Sequence, residues 1–215
     1  MRVQIILFHG MTLLDMVGPT QVWALLPGAE LQYVAAAVGP VQTDCHVTIS
    51  ATHDYASAWR DPDILFIGGA GRPTLDAIAN VDLIGFLADR GARAKWVTSV
   101  CTGALMLGAA GLLKGYRANS HWGTRDQLEN FGAILSDERV CIDRNRATGG
   151  GITSGIDFGL TLAGIIAGDN VGRMLELLLE YNPAPPFGTG HPSIADRETL
   201  EHTRALLAAE YAPES

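Results

Sequence analysis

Residues 95–113 read KWVTSVCTGALMLGAAGLL, an apolar run that passes directly into a segment rich in small residues. The run up to Val100 is typical of a strand buried on both faces, and the segment after it has the pattern of a helix. Cys101 stands at the junction. Ligands bind beyond the carboxyl ends of parallel strands, so this order of elements predicts a thiol at a ligand-binding edge.

The same alternation extends along the chain in both directions. Strand-like apolar runs bounded by Gly or Pro occur at 3–8, 31–38, 63–69 and 94–100. Helix-period segments occur at 18–26, 73–90, 102–113, 123–131, 154–167, 170–181 and 193–211. This order predicts one α/β domain over residues 1–215, with a doubly wound, mostly parallel sheet and helices on both faces.

Two details of this prediction depend on single motifs. Residues 133–149, AILSDERVCIDRNRATG, alternate apolar and polar around the SDE at 136–138, which predicts a short antiparallel β-ribbon with its turn there. The helix at 18–26 is expected to begin at the Gly18-Pro19 pair, because proline is favoured in the first turn.

Composition limits the partners. Fifteen basic and 23 acidic residues give a net charge of −8 without a Lys/Arg run, which disfavours nucleic acid and anionic membrane surfaces. No apolar run reaches the roughly 18 residues of a membrane-spanning helix. Three widely spaced cysteines, without paired metal-ligand spacing, are typical of a reduced cytoplasmic protein and predict no metal site.

Cys101 is the candidate nucleophile. The N–H groups and the positive end of the following helix would favour thiolate, so its pKa is expected to fall below the ordinary value. Gly103 and Ala104 supply the small neighbours that a sharp strand-to-helix turn requires. The alternative is a small buried hydrophobic residue, which is what most free cysteines are. Cys45 and Cys141 lack this context, and Cys141 is expected to pack within the ribbon.

Asp15 is the candidate acid. It lies among Met, Leu and Val just past the first strand, at the same sheet edge as Cys101, so burial should raise its pKa toward the working pH of a general acid. It could equally accept backbone N–H bonds at a helix start. His121 is a weaker candidate for a catalytic group, since a lone histidine beside Trp122 is more often packed and hydrogen-bonded to the backbone.

Five motifs in this order resemble the PfpI-like branch of the class I glutamine-amidotransferase-like superfamily: LLDMVGP, DILFIGGAG, SVCTGALMLGAAGLLKG with SHW, TGGGITSGIDFGL and EYNPAPPFGTG. Together they cover nearly the whole chain. The resemblance implies a flavodoxin-like homodimer with a cysteine nucleophile at a strained turn, and with neither a metal nor an organic cofactor. Within the branch, the sequence resembles the isocyanide hydratases.

That resemblance implies an activity and a set of residues. The activity is hydration of a small neutral isocyanide to an N-substituted formamide. Cys101 would be the nucleophile, Asp15 the acid and base, and Thr102 a hydroxyl donor near the reacting centre. The substrate would be held by backbone-lined positions after two strands: Gly69, Ala70, Gly150, Gly151 and Ile152. The glycines after the third strand could also offer free N–H groups to a developing anion.

Two other functions remain open from the sequence. A glyoxalase- or deglycase-like activity on small dicarbonyls would use the same thiol, but relatives with that activity typically carry Glu where this chain has Asp15. Peptidase-like relatives have His directly after the cysteine, where this chain has Thr102. The other function that remains open is that of a non-enzymatic sensor, in which Cys101 is a redox switch or the fold binds a ligand.

Overall fold

A computed structural model of the protein describes residues 1–212 as an α/β fold around a seven-stranded sheet. The strands are β1 Arg2–Ile6, β2 Glu30–Ala35, β3 Gly39–Gln42, β4 Thr48–Ala51, β5 His53–Asp54, β6 Ile64–Ile67, β7 Trp96–Val100, β8 Arg117–Ala118, β9 Ile134–Leu135, β10 Val140–Asp143 and β11 Arg146–Gly149. The helices are α1 Leu13–Trp23, α2 Pro73–Ala79, α3 Val81–Gly91, α4 Gly103–Ala109, α5 Ser154–Ala167, α6 Asp169–Leu178 and α7 Arg197–Glu210, with a 3-10 helix at Arg125–Phe131.

The main sheet has the order β10-β11-β7-β6-β1-β2-β5. All neighbouring strands in it are parallel except β10 and β11, which are antiparallel. β1 lies between β2 and β6, so the strand order reverses beside it, and the loops after β1, β6 and β7 meet at one edge. The mostly parallel doubly wound sheet predicted from the sequence is confirmed, and this edge is where such folds place their ligands.

Apolar side chains fill both faces of the sheet. On one face, α1 packs on α5, and Trp23, Phe66 and Phe158 form edge-on and tilted ring contacts with centroids 5.3–6.1 Å apart. On the other face, α3 and α4 cover a second cluster that includes Leu65 and Leu87. Helices on both faces therefore hold the sheet rigid beneath the edge. No helix within residues 1–212 is long and apolar enough to cross a membrane.

The first helix begins earlier than predicted. α1 starts at Leu13 rather than 18, and Pro19 lies inside it. Proline lacks the N–H that would bond the carbonyl of Asp15, four residues back, so the helix tolerates it at the cost of one bond. Close approach of α5 compensates, because a Cβ on Gly159 would lie 3.0 Å from the Cα of Pro19. Because α1 begins at Leu13, Asp15 lies in its first turn.

Other details also differ from the prediction. The helix at 73–90 is two helices, because the Asn80 side chain accepts N–H bonds from residues 82 and 83 and starts a new one. The antiparallel ribbon exists as β10 and β11, but its turn lies at 144–145, where Arg144 has a φ of 54°, rather than at 136–138. A second antiparallel ribbon, β3 with β4, has no counterpart in the prediction.

Candidate active site

Cys101 occupies a strained turn between β7 and α4. Its φ is 59°, in the left-handed region that residues with a Cβ rarely adopt. Three hydrogen bonds hold it there: its N–H donates to the carbonyls of Gly150 (2.8 Å) and Gly149 (3.2 Å), and its carbonyl accepts from the Ser120 hydroxyl (2.9 Å). The backbone around the thiol is therefore fixed from both sides.

Glycines let the β6 loop approach this turn closely. A Cβ on Gly103 would contact the carbonyl oxygen of Ile67 and lie 2.8 Å from that of Gly68. A Cβ on Gly69 would contact the hydroxyl and amide of Thr102. Any larger residue at these positions would push the turn away from the loop, so the small residues set the height of the thiol above the sheet.

Asp15 lies fully buried at the same edge, with 0% of its surface exposed. Its Oδ2 accepts the N–H of Gly69 at 2.7 Å, and within the described chain its buried Oδ1 has no hydrogen-bond partner. Gly68 makes room for it, since a Cβ there would lie 2.9 Å from the Asp15 Cβ. The carboxyl does not cap its own helix, so the helix-start alternative for Asp15 is not what the structure shows.

Asp15 and Cys101 shift each other's pKa. Burial raises the pKa of Asp15 to about 7, against opposing effects of the Gly69 N–H and the Cys101 thiol. Burial, followed by the charge of Asp15, raises the pKa of Cys101 well above its ordinary value, although the N–H groups of Thr102 and Ile152 act in the opposite direction. The predicted lowering of the thiol pKa is therefore wrong in sign, because burial outweighs the helix N-terminus.

The two groups are best treated as one titrating pair. The first proton leaves the pair near pH 7, and the second leaves at a much higher pH. Between these limits the pair holds a single proton, which can lie on the carboxyl or on the sulfur. A thiolate beside a carboxylic acid is one of these two arrangements, so the site can present a nucleophile and a proton donor together.

The Thr102 side chain is buried, and its hydrogen bonds are made within the protein. Its hydroxyl donates to the carbonyl of Ala70 (2.8 Å), accepts the N–H of Ala70 (2.9 Å) and lies 2.8 Å from the Thr74 hydroxyl. A hydroxyl has one proton and two lone pairs, so all three directions are occupied. The side chain ties the turn to the β6 loop, while its backbone N–H faces the thiol.

A cavity of about 290 Å³ opens onto Cys101 and Thr102. Of the predicted substrate-binding residues, Ala70 and Ile152 line it. Gly69 lies behind it and holds Asp15, whereas Gly150 and Gly151 line an adjoining cavity. The sequence suggested that the N–H groups of Gly68, Gly69 and Gly71 could bind a developing anion, but the N–H of Gly69 is bonded to Asp15 and is not free to do so. The N–H of the neighbouring Ala70 is likewise bonded to Thr102.

His121 lies at the wall between the two cavities. Burial lowers its pKa, and its Nδ1 accepts the N–H of Gly123 at 3.2 Å. Its ring packs on Gly151 and tilts against Trp122, with centroids 5.6 Å apart. This is the packed, backbone-bonded histidine that the sequence favoured. Within residues 1–212, no group of three His, Cys, Asp or Glu side chains is placed to hold a metal ion.

Sequence reasoning missed three contributors to the site. Ser120 fixes the carbonyl of Cys101, and the Thr74 hydroxyl lies beside that of Thr102. Only the SHW motif at 120–122 hinted at the first of these contributors. The third is the C-terminal segment, from which Leu207, Glu210 and Tyr211 line the cavity. No local pattern in α7 could have shown that it returns to the first half of the chain.

The fold and the strained turn at Cys101 define a class of protein. Its members are doubly wound α/β proteins with a cysteine at a strand-to-helix turn and a buried carboxyl beside it. The chain belongs to the DJ-1/PfpI family, whose model matches residues 1–164. It is 39% identical to an isonitrile hydratase from Pseudomonas putida over 97% of this chain and 90% of that protein. Similarity of this extent assigns the protein to the enzymes, in the hydratase (hydro-lyase) class.

Solved structures agree on the fold. A THiJ/PfpI family protein from Pseudomonas syringae superposes with a TM-score of 0.96 at 41% identity, covering 98% of this chain and 87% of that one. Oxidized DJ-1 from Toxoplasma gondii superposes with a TM-score of 0.73 at 21% identity, covering 85% of this chain and 99% of that one. The second likeness concerns the fold alone.

Proposed function

We propose that the protein hydrates an isocyanide, R–N≡C, to the N-substituted formamide, R–NH–CHO, through a covalent bond to Cys101. The observation that carries this proposal is the buried pair of Asp15 and Cys101. The carboxyl of this pair has a pKa of about 7, and its Oδ1 has no hydrogen-bond partner among residues 1–212. The similarity to the isonitrile hydratase of Pseudomonas putida supports the choice of substrate.

The first half of the reaction needs a nucleophile and an acid. The Cys101 sulfur forms a bond to the terminal carbon of the isocyanide, and the proton of the pair passes from Asp15 to that carbon. The product is a thioimidate, R–N=CH–S, still bound to the enzyme. A neutral carboxylic acid at the start of this step is consistent with the raised pKa of Asp15.

The second half uses the same carboxylate as a base. Asp15 takes a proton from water as the water oxygen bonds to the thioimidate carbon, and it passes this proton to the nitrogen. The tetrahedral adduct, R–NH–CH(OH)–S, then breaks its carbon–sulfur bond while Asp15 takes the hydroxyl proton, which releases the formamide and restores the thiolate beside a neutral carboxylic acid. The N–H groups of Thr102 and Ile152 that face the sulfur would stabilise the thiolate both when it attacks and when it leaves.

Purified protein mixed with ethyl isocyanide is therefore expected to form N-ethylformamide, which mass spectrometry detects directly. The ratio kcat/KM should rise about tenfold between pH 6 and pH 8, because the active one-proton form of the pair accumulates as the first proton leaves near pH 7. Formation of lactate from methylglyoxal, with no formamide from any isocyanide, would show instead that the dicarbonyl alternative is correct.

We also propose a cytoplasmic homodimer. The three free thiols suit a reducing compartment. The exposed side of α6 carries Met174, Leu177 and Leu178, which are 55%, 82% and 65% exposed, and a second copy of the chain would bury them. Sedimentation velocity is expected to show a single species of twice the 22.8 kDa chain mass. Replacing Leu177 with Glu should shift it toward the monomer, and an unshifted dimer would place the interface elsewhere.

A further inference from the structure

The C-terminal segment reaches back over the catalytic cleft. The Leu207 side chain packs on Gly123, and the Glu210 carboxyl lies against Gly71. Beyond α7, the Tyr211 hydroxyl donates to the carbonyl of Ala70 at 3.4 Å, and the Arg72 guanidinium donates to the carbonyl of Ala212. These contacts all fall on the last turn and a half of α7 and the residues after it, so that end forms a wall over the site.

The wall is held more weakly than the rest of the fold. α7 contains no buried residue, and the chain before it, from 183 to 196, is mostly exposed. Tyr211 lines the same cavity as Cys101, and burial, followed by the charge of Cys101, raises the pKa of its hydroxyl. A helix without a buried residue adds little to the core, and the contacts of its C-terminal end lie at the cleft, so this end is placed for contact with a ligand.

The wall lies outside the part of the chain that the family model matches. The DJ-1/PfpI model matches residues 1–164, so α7 lies entirely outside it. The similarity to the Pseudomonas putida isonitrile hydratase covers 97% of this chain, which leaves too few residues unmatched to omit α7. α7 thus lies outside the family model, whereas most of it lies within the stretch that is similar to this hydratase.

The chemistry of the cavity indicates what the wall would contact. Its volume of about 290 Å³ lies at the lower end of the range for ligand pockets. Its apolar lining comes from Pro73, Ile152 and Leu207. Two carboxylates, Asp44 and Glu210, also line it, and the part of the lining that residues 1–212 provide includes neither Lys nor Arg. Arg72 is close in sequence, but its guanidinium is directed to Ala212.

We infer that Leu207, Glu210 and Tyr211 form the subsite for the R group of the substrate and select compact R groups without a carboxylate. This inference rests on the proposed function. With the isocyanide carbon at Cys101, a linear R–N≡C group directs R outward, toward α7. Leu207 then limits the bulk of R, and Glu210 repels a negative charge on it.

The size selection is tested with Leu207→Ala, and Leu206→Ala is the matched control. Leu206 is the preceding residue on α7, is 72% exposed and does not line the cavity. Leu207→Ala is expected to raise kcat/KM for benzyl isocyanide relative to ethyl isocyanide by about fivefold or more, since removing side-chain volume from a pocket changes discrimination by that order. Leu206→Ala should leave the ratio within about twofold.

The charge selection is tested with Glu210→Gln against Glu198→Gln, an exposed glutamate in the first turn of the same helix. The substrates are isocyanoacetate and its neutral methyl ester. Glu210→Gln is expected to raise kcat/KM for the anion relative to the ester by about three- to tenfold, the effect of removing one like charge a few ångströms away in a partly exposed site. Glu198→Gln should not change that ratio.

A second readout does not depend on hydratase activity. The rates at which iodoacetate and iodoacetamide alkylate Cys101, resolved from Cys45 and Cys141 by peptide mass spectrometry, should move closer together in Glu210→Gln. If the wild type hydrates no isocyanide but the alkylation ratio shifts, the proposed function fails and the anion-repelling wall stands. If the wild type hydrates isocyanides and both variants leave every ratio unchanged, the inference about α7 is overturned.

Discussion

Replacing Cys101 with alanine is expected to lower isocyanide hydration by a factor on the order of 10⁴ or more, because the proposed covalent route then has no sulfur to form the bond. Cys45→Ala and Cys141→Ala are the matched controls. Cys45 is exposed, and Cys141 is buried in β10, away from the strained turn. Both controls should retain turnover within a few-fold, as measured by formamide production.

The same position offers a test of the backbone geometry. At a φ of 59°, a residue with a Cβ is strained, whereas glycine is not. Cys101→Gly should therefore unfold with a free energy about 1 kcal/mol greater than Cys101→Ala in urea titrations. Substantial turnover in Cys101→Ala would refute the nucleophile assignment, and equal stability of the two variants would contradict the strained turn.

Asp15→Asn is expected to separate activity from stability. The amide keeps the shape of the carboxyl but has no acidic proton to transfer, so hydration should fall by about 10²–10⁴-fold, the usual contribution of a general acid. Asp126→Asn, at a carboxylate whose side chain is 87% exposed, is the control and should hydrate at the wild-type rate. If Asp15→Asn also hydrates at that rate, the acid lies elsewhere and His121 becomes the next candidate.

The free energy of unfolding of the wild type should fall as the pH rises from about 4 to about 7. The folded-state pKa of Asp15 is about 7, whereas its ordinary value is 3.8, so between these values the folded protein holds a proton that the unfolded chain releases. Raising the pH therefore favours unfolding, by up to about 4 kcal/mol over the three units. The stabilising effect of neutral Asp15 is complete below pH 4 and lost above pH 7.

Asp15→Asn removes this dependence. Relative to the wild type, the variant should gain free energy of unfolding from pH 4 to pH 8, measured in urea at each pH. The expected result is an inactive variant that is more stable than the enzyme at neutral pH, which is typical of a residue kept for chemistry against the preference of the fold. Parallel pH profiles for variant and wild type would show that burial does not raise the pKa of Asp15.

Several features of the fold are encoded locally and could be read from the chain. The buried strands at the centre of the sheet appear as uninterrupted apolar runs, and α5 spans 154–167 as its 3.6-residue period predicts. The boundaries of helices and the positions of turns were harder to predict. Asn80 divides one apolar periodic segment into two helices, because its side chain caps the second one. The ribbon closes in a two-residue turn at 144–145 that holds Arg144 at a φ of 54°, which its sequence does not favour.

The features of the site likewise fall into those that the sequence predicts and those that depend on the tertiary structure. A thiol at a strand-to-helix junction and a carboxylate with apolar neighbours are local facts, and the parallel sheet then brings Cys101 and Asp15 to one edge. Their protonation is not local. Whether a helix end lowers a thiol pKa or burial raises it depends on how many atoms exclude water from the sulfur and on the carboxyl beside it, and these come from β6, α1 and the loop before α5.

The covering of the site is the clearest case of dependence on tertiary structure. α7 is an amphipathic stretch that follows an exposed linker, and nothing in its composition names its partner. Its last turn lies against Gly71 and Gly123 only because the folded body presents two glycines where Glu210 and Leu207 can approach. Residues more than a hundred positions apart in the chain thus form one cavity, and contacts at that separation follow from the three-dimensional packing of the elements rather than from the pattern within any of them.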